Sequence, residues 1–247
     1  MKRSIIVDNN SVLKTDTPNK MQVEVSKTQK AYEVGLSTGL FIVPKILSYD
    51  FKTGKAELEY LQDLISIKKL IITNQATGLL FEDIGKALAF IHRDLKLKEE
   101  MKTYLPKCLD FNNDNVFLHG DFNTTNVLFS KKDNRLVVLD WQMTEVFDGK
   151  ATYGSRYFDI SWFINSVFYV PCFHFFKPFE KYIKYFIKGY SENSNGCFTE
   201  NIYHEYLLKY TNLRYKKRRN ERNWKGHILY TPMDYLLLNY INRTSKL

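Results

Sequence analysis

Glycine is scarce in this sequence and arrives late. The 247 residues hold 11 glycines and none precedes Gly35, which excludes a glycine-rich phosphate-cradling loop from the first 34 positions. Cysteine is nearly absent. Cys108, Cys172 and Cys197 are odd in number and far apart, so they supply neither a disulfide framework nor a zinc motif, and a reducing, cytoplasmic setting is expected. Long apolar runs are missing too. The stretch 160–176 comes nearest to the roughly 20 residues of a membrane span, but Asn165, Pro171 and His174 interrupt it, and a buried helix is expected there. Met1-Lys2-Arg3-Ser4 is not followed by an apolar segment of signal-peptide length. His92, His174, His204 and His227 are scattered without metal-ligand spacing. There are no repeats and no low-complexity tracts.

What is present suits a globular protein: 44% hydrophobic residues, with 17 Tyr and 18 Phe to make a strongly aromatic core. The length allows two small lobes around one cleft. Net charge is +9, and much of it sits in 214–222. That run (Arg-Tyr-Lys-Lys-Arg-Arg-Asn-Glu-Arg) holds six cations and one anion, and Lys225 follows Trp224. It reads equally as a surface for phosphate-rich partners and as a solvated helix end.

The chemistry concentrates between Leu118 and Trp141. Val127-Leu128-Phe129 and Leu136-Val137-Val138-Leu139 are apolar runs flanking the polar stretch Ser130-Lys131-Lys132-Asp133-Asn134-Arg135, which reads as a β-hairpin. Asn126 precedes the first strand and Asp140 follows the second, so antiparallel pairing brings the two together. An amide oxygen and a carboxylate meeting there form a hard-oxygen site suited to Mg²⁺. Asp121 enters the same place from the preceding loop, as a carboxylate able to take the proton of an attacking hydroxyl.

The block His119-Gly120-Asp121-Phe122-Asn123-Thr124-Thr125-Asn126, followed by Val137-Val138-Leu139-Asp140-Trp141, resembles the signature of the aminoglycoside phosphotransferase and choline kinase group, whose fold is similar to that of protein kinases. Weaker matches stand in order around it: 84–92 resembles a family helix ending near a His, Tyr157-Phe158-Asp159 a family segment opening a buried helix, and 57–61 the linker between lobes. The resemblance covers about residues 10–165. It implies Asp121 as catalytic base, Asn126 and Asp140 as Mg²⁺ ligands, His119 as a structural group of the loop, and Asp159 as its anchor. It also implies that linker backbone at Glu59 and Leu61 bonds the adenine of ATP. Two departures stand out. The family often has a His two places after the catalytic Asp and Pro-Gly before the Asn, where this chain has Asn123 and Thr124-Thr125.

The resemblance further calls for a phosphate-binding Lys on a strand and an acidic partner on a helix. Residues 5–8 and 11–14 read as a hairpin turning at Asn9-Asn10, and Lys14 ends its second strand. Pro18 suits a helix start, with Met21 to Val34 helical. Glu24 shares a face with Met21, Thr28 and Ala31 and is the favoured partner of Lys14; Glu33, on another face, stays open as the alternative. The first strand and phosphate loop of the family are expected to be shortened or lost.

The expected fold is therefore α+β, two-lobed and protein-kinase-like, with a small mostly-β lobe of one helix over 1–61 and a larger, mostly helical lobe over 62–247. Helices are expected at 64–72, 79–95, 182–190, 202–213 and 234–242. The expected activity is ATP- and Mg²⁺-dependent phosphorylation of a hydroxyl on a small molecule or glycan. Carboxylate clusters are few and the basic run is strong, so an anionic acceptor is expected rather than an aminoglycoside or choline, with peripheral contact to an anionic membrane surface as a further expectation. A nucleic-acid module would explain the basic run alone. An atypical protein kinase and an inactive nucleotide-binding relative are the alternatives.

Overall fold

A computed structural model describes residues 3–8, 10–110, 114–147, 149–170, 178–221 and 223–244. The chain opens on β1 (Ser4–Val7) and β2 (Ser11–Thr15), paired antiparallel from Ser4↔Thr15 to Val7↔Val12. The expected turn includes Asn9, which lies outside the described residues. Helix α1 (Pro18–Thr38) follows, with Pro18 in its first turn, where a missing N–H breaks no helical bond. It stops at Gly39, whose left-handed backbone (φ 69) lets its N–H reach the Gly35 carbonyl. Met21, Glu24, Val25, Thr28 and Ala31 form its buried face. After β3 (Phe41–Ile42), strands β4 (Ile46–Asp50) and β5 (Lys55–Glu59) complete an antiparallel sheet of order β1-β2-β5-β4.

Beyond Glu59 the chain enters other layers. The expected helix over 64–72 is corrected: Leu64–Ser66 is strand β6 and only Ile67–Ile72 is helix α2. β6 pairs with Ser130, Phe129 and Leu128, and Ser66 Oγ caps α2 by accepting from Lys69 N–H at 3.2 Å. Backbone partners offered by a distant strand override the local helical period. The remaining elements are α3 (Gly78–Asp94), β7 (Asn115–Phe117), β8 (Val127–Ser130), β9 (Arg135–Val138), β10 (Tyr153–Ser155), α4 (Tyr157–Phe168), α5 (Phe179–Asn193), α6 (Glu200–Glu221) and α7 (Trp224–Thr244). A second sheet has the order β3-β9-β8-β6, and β7 pairs with β10.

The stretch 160–176 is helical to Phe168 within α4, and its end at 171–176 lies outside the described residues. Residues 214–221 of the basic run form the last part of α6, which extends past the expected 202–213, and Arg222 lies outside the described residues. Helices α3 and α5 pack at glycines: a Cβ on Gly85 would lie 2.0 Å from the Phe186 carbonyl oxygen, and one on Gly189 2.0 Å from that of Glu82. Aromatic side chains including Phe81, Phe158, Phe163, Tyr190 and Tyr206 fill the core around them. Among the described residues no helix is long and apolar enough to cross a membrane. The architecture is α+β, β-rich with one long helix at the amino-terminal end and mostly helical beyond.

Candidate active site

The β8–β9 hairpin sets the site. Val127 pairs with Val138, and Leu139 N–H donates to the Asn126 carbonyl at 2.9 Å, so the ladder continues until Asn126 and Asp140 line one cleft. Asn126 Nδ2 donates to Asp121 Oδ2 at 2.8 Å and to the Asp121 carbonyl at 3.0 Å. With its nitrogen so engaged, the amide oxygen is the end left for a cation. Asn123 Nδ2 donates to the other carboxylate oxygen of Asp121 at 2.9 Å. Burial pushes the Asp121 carboxyl up to about 6, and Asp140 adds to this against the pull of Asn123, Asn126 and Trp162. A carboxylate held there is poised as a proton acceptor near neutral pH.

The loop is pinned from below. Asp159, fully buried, accepts from the backbone N–H of His119 at 2.7 Å and of Gly120 at 2.9 Å, and from His92 Nε2 at 3.0 Å. Burial would raise the Asp159 carboxyl, but these donors hold it below the usual carboxylate range. Burial also lowers His92, so the pair is a neutral imidazole donating to a carboxylate, with Tyr190 Oη 2.8 Å from the other ring nitrogen. His119 is fully buried and pushed down to about 3 by desolvation. Its Nε2 donates to the Leu139 carbonyl at 3.1 Å, and its Nδ1 accepts from Asp121 N–H at 3.1 Å. It thus ties loop to hairpin as a neutral imidazole. Gly120 has φ 90, and a Cβ there would sit 2.9 Å from Met143 Sδ, which explains glycine after the His.

Lys14 Nζ lies 2.5 Å from Glu24 Oε1 and 3.2 Å from Asp140 Oδ1. The partner of Lys14 is Glu24; Glu33 is exposed and bonds Lys30. Burial works against the Lys14 charge, but Glu24 and Asp140 outweigh it and raise its pKa. Asp140 is lowered: burial opposes ionisation, and Lys14 and Arg3 overcome it. Its backbone is left-handed, φ 59. The cleft has a volume of about 520 Å³ and is lined by Val12, Lys14, Glu59, Leu61, Asn126 and Asp140 among others, a size suited to a small organic ligand. At the linker, Tyr60 N–H donates to the Asn10 carbonyl at 3.2 Å.

Among the described residues no group of three His, Cys, Asp or Glu side chains could enclose a metal alone. One amide oxygen and one carboxylate suit Mg²⁺, which fills its shell with water and nucleotide phosphate oxygens. Glu24 Oε2 is buried with no hydrogen-bond partner among the described residues, while Oε1 carries the pair to Lys14.

The model of the phosphotransferase enzyme family (APH) matches residues 68–172. In fold the chain is similar to a glucosamine kinase (TM-score 0.58, 14% identity, covering 97% of this chain and 73% of that one). It is also similar to the amicoumacin kinase hAmiN solved with AMP-PNP, Ca²⁺ and Ami (TM-score 0.53, 14% identity, 99% and 88%). An ethanolamine kinase from Plasmodium vivax is a third (TM-score 0.52, 12% identity, 85% and 73%). No curated protein sequence matches the chain. The kinase-like fold and the resemblance to small-molecule phosphotransferases read from residues 119–141 are thus borne out, and the family match supports a phosphotransferase enzyme.

Three site residues escaped the sequence reading. Arg3 places its guanidinium on Asp140 Oδ1 and lies 4.0 Å from Glu24. Lys27, fully buried, donates from Nζ to the His119 carbonyl at 2.6 Å. Trp162 adds to the downward pull on the Asp121 carboxyl. Only Lys27 left a signal, since it falls between Glu24 and Thr28 on the inward face of α1.

Proposed function

We propose that the chain transfers the γ-phosphoryl group of ATP to a hydroxyl of a small molecule or glycan. The observation that carries this reading is the contact of Asp121 with Asn126 beside a cleft that also holds Lys14 and Asp140. In this reading Asn126 and Asp140 hold Mg²⁺, which when bound neutralises charge on the phosphates. Asp121 orients the acceptor hydroxyl and takes its proton, while Asn123 and Asn126 fix the carboxylate that does so. Lys14, steadied by Glu24, contacts the nucleotide phosphates. The linker at Glu59 and Leu61 holds the adenine, and the lobes meet between residues 61 and 62. The acceptor is anionic, the reaction is cytoplasmic, and the exposed Lys216 gives the face of α6 a contact with anionic membrane surfaces.

The test is transfer from labelled ATP across a panel of metabolites and glycans, with Mg²⁺ and with chelator. Magnesium-dependent labelling of a small molecule or glycan is the expected result. Labelling of protein alone, or nucleotide binding without turnover of any acceptor, would overturn the reading.

A further inference from the structure

A second cavity, about 160 Å³, adjoins the catalytic loop; Asn123, Thr124 and Thr125 of that loop line it together with Lys68, Arg214 and Arg218. One residue connects it to the reaction centre: Asn123 lines it and donates to the Asp121 carboxylate at 2.9 Å.

The two arginines are unusual for their neighbourhood. Arg214 is only 5% exposed. Its guanidinium carbon lies 4.2 Å from the Trp162 ring centroid, and its Nε is buried with no hydrogen-bond partner among the described residues. Arg218, one helical turn on, lies 4.1 Å over the Tyr169 ring. Tyr169 in turn bonds Asp234. Among the described residues no carboxylate pairs directly with either guanidinium. Like charges at this helical spacing repel, and burial together with Arg214 lowers the Arg218 pKa. Aromatic faces offset part of that cost. Arg214 Nη1 donates to Tyr210 Oη at 3.5 Å, and the two forks, whose geometry matches phosphate and carboxylate, are left without a carboxylate partner among the described residues.

We propose that this cavity is the acceptor's anion subsite, in which Arg214, Arg218 and Lys68 clamp a phosphate or carboxylate borne by the acceptor while its hydroxyl meets Asp121. The inference rests on the phosphotransferase reading and narrows it to hydroxylated substrates with an anionic substituent, such as sugar acids or sugar phosphates. A polycationic acceptor would face these same guanidiniums.

The experiment uses the full chain and four matched acceptors: glucose, glucosamine, glucuronate and glucose 6-phosphate. Either anionic sugar should be phosphorylated with kcat/KM about tenfold or more above the other two, and which one leads identifies carboxylate or phosphate as the recognised group. Arg218→Gln should raise the acceptor KM by about tenfold, the loss expected of a charge-assisted bond, while KM for ATP stays constant. Arg219→Gln, exposed on the same helix and absent from the cavity wall, should change neither. Arg214→Lys retains the charge, guarding against a folding defect. Equal or better turnover of glucosamine, or an unchanged KM in Arg218→Gln, would overturn the subsite and leave the kinase reading intact. If none of the four sugars is turned over, thermal unfolding with inorganic phosphate and with acetate decides. An anion-dependent rise in midpoint lost in Arg218→Gln and kept in Arg219→Gln supports the subsite. No rise in the wild type, or an equal rise in both variants, overturns it; nucleotide binding with Mg²⁺ then tests the kinase reading separately.

Discussion

The guanidinium of Arg3 and the ammonium of Lys14 meet at the same oxygen, Oδ1 of Asp140. A cation drawn to that carboxylate competes with Arg3, which is the more exposed of the two. Arg3→Ala should therefore lower the Mg²⁺ concentration for half-maximal turnover by about two- to fivefold, the range of a partly exposed ion pair. A magnesium titration at saturating ATP checks this. An unchanged or higher requirement would mean that Arg3 does not compete for the carboxylate.

Asp121 and Asp140 should separate from the scaffold in mutagenesis. Asp121→Asn and Asp140→Asn are each expected to lower kcat by about two decades or more, with circular dichroism and unfolding cooperativity retained. Wild-type turnover in either variant would refute the roles assigned to them.

The Asp121 carboxyl, raised to about 6, must be ionised to accept a proton. Activity is thus full above that value and declines as pH falls through it. The acceptor kcat/KM should drop about tenfold per pH unit below roughly pH 6. A profile flat down to pH 4.5 would exclude Asp121 as the titrating base.

Lys27 is fully buried and lowered to about 8, so the folded state disfavours its charge. The unfolded chain binds the extra proton between pH 8 and the ordinary lysine value. The resulting destabilisation is therefore full below pH 8 and relieved as pH rises through that window. Lys27→Met lacks it. The stability of Lys27→Met relative to wild type should fall by roughly 3 kcal/mol between pH 7.5 and 10.5, read by urea denaturation. The loss of the bond to the His119 carbonyl should also lower kcat, because that carbonyl belongs to the catalytic loop.

Residues 119–141 were legible because their information is local: two apolar runs, a polar turn and three oxygen-bearing side chains at strand ends. The Lys14–Glu24 pair was legible from helical phase, since Glu24 shares the buried face of α1 with Met21 and Thr28. β6 was not, because Leu64–Ser66 becomes a strand only against β8, which comes some 60 residues later. Arg3 was missed for a different reason: a single cation outside a helix carries no periodicity. Lys27 shares the inward phase of α1 but was passed over because the usual place of a lysine is in water. Arg214 and Arg218 were hidden inside a charged run in which Lys216, Lys217 and Arg219 do face solvent; only the tertiary approach of Trp162 and Tyr169 sets them apart.

The left-handed twist at Asp140 narrows what can occupy that position. Aspartate and asparagine tolerate such a conformation, whereas alanine and glutamate are strained by about 1 kcal/mol or more. Chain geometry thus selects the same residue that the proposed role in holding Mg²⁺ calls for. Exchange for asparagine removes charge alone, and any bulkier or hydrocarbon replacement distorts the ribbon as well.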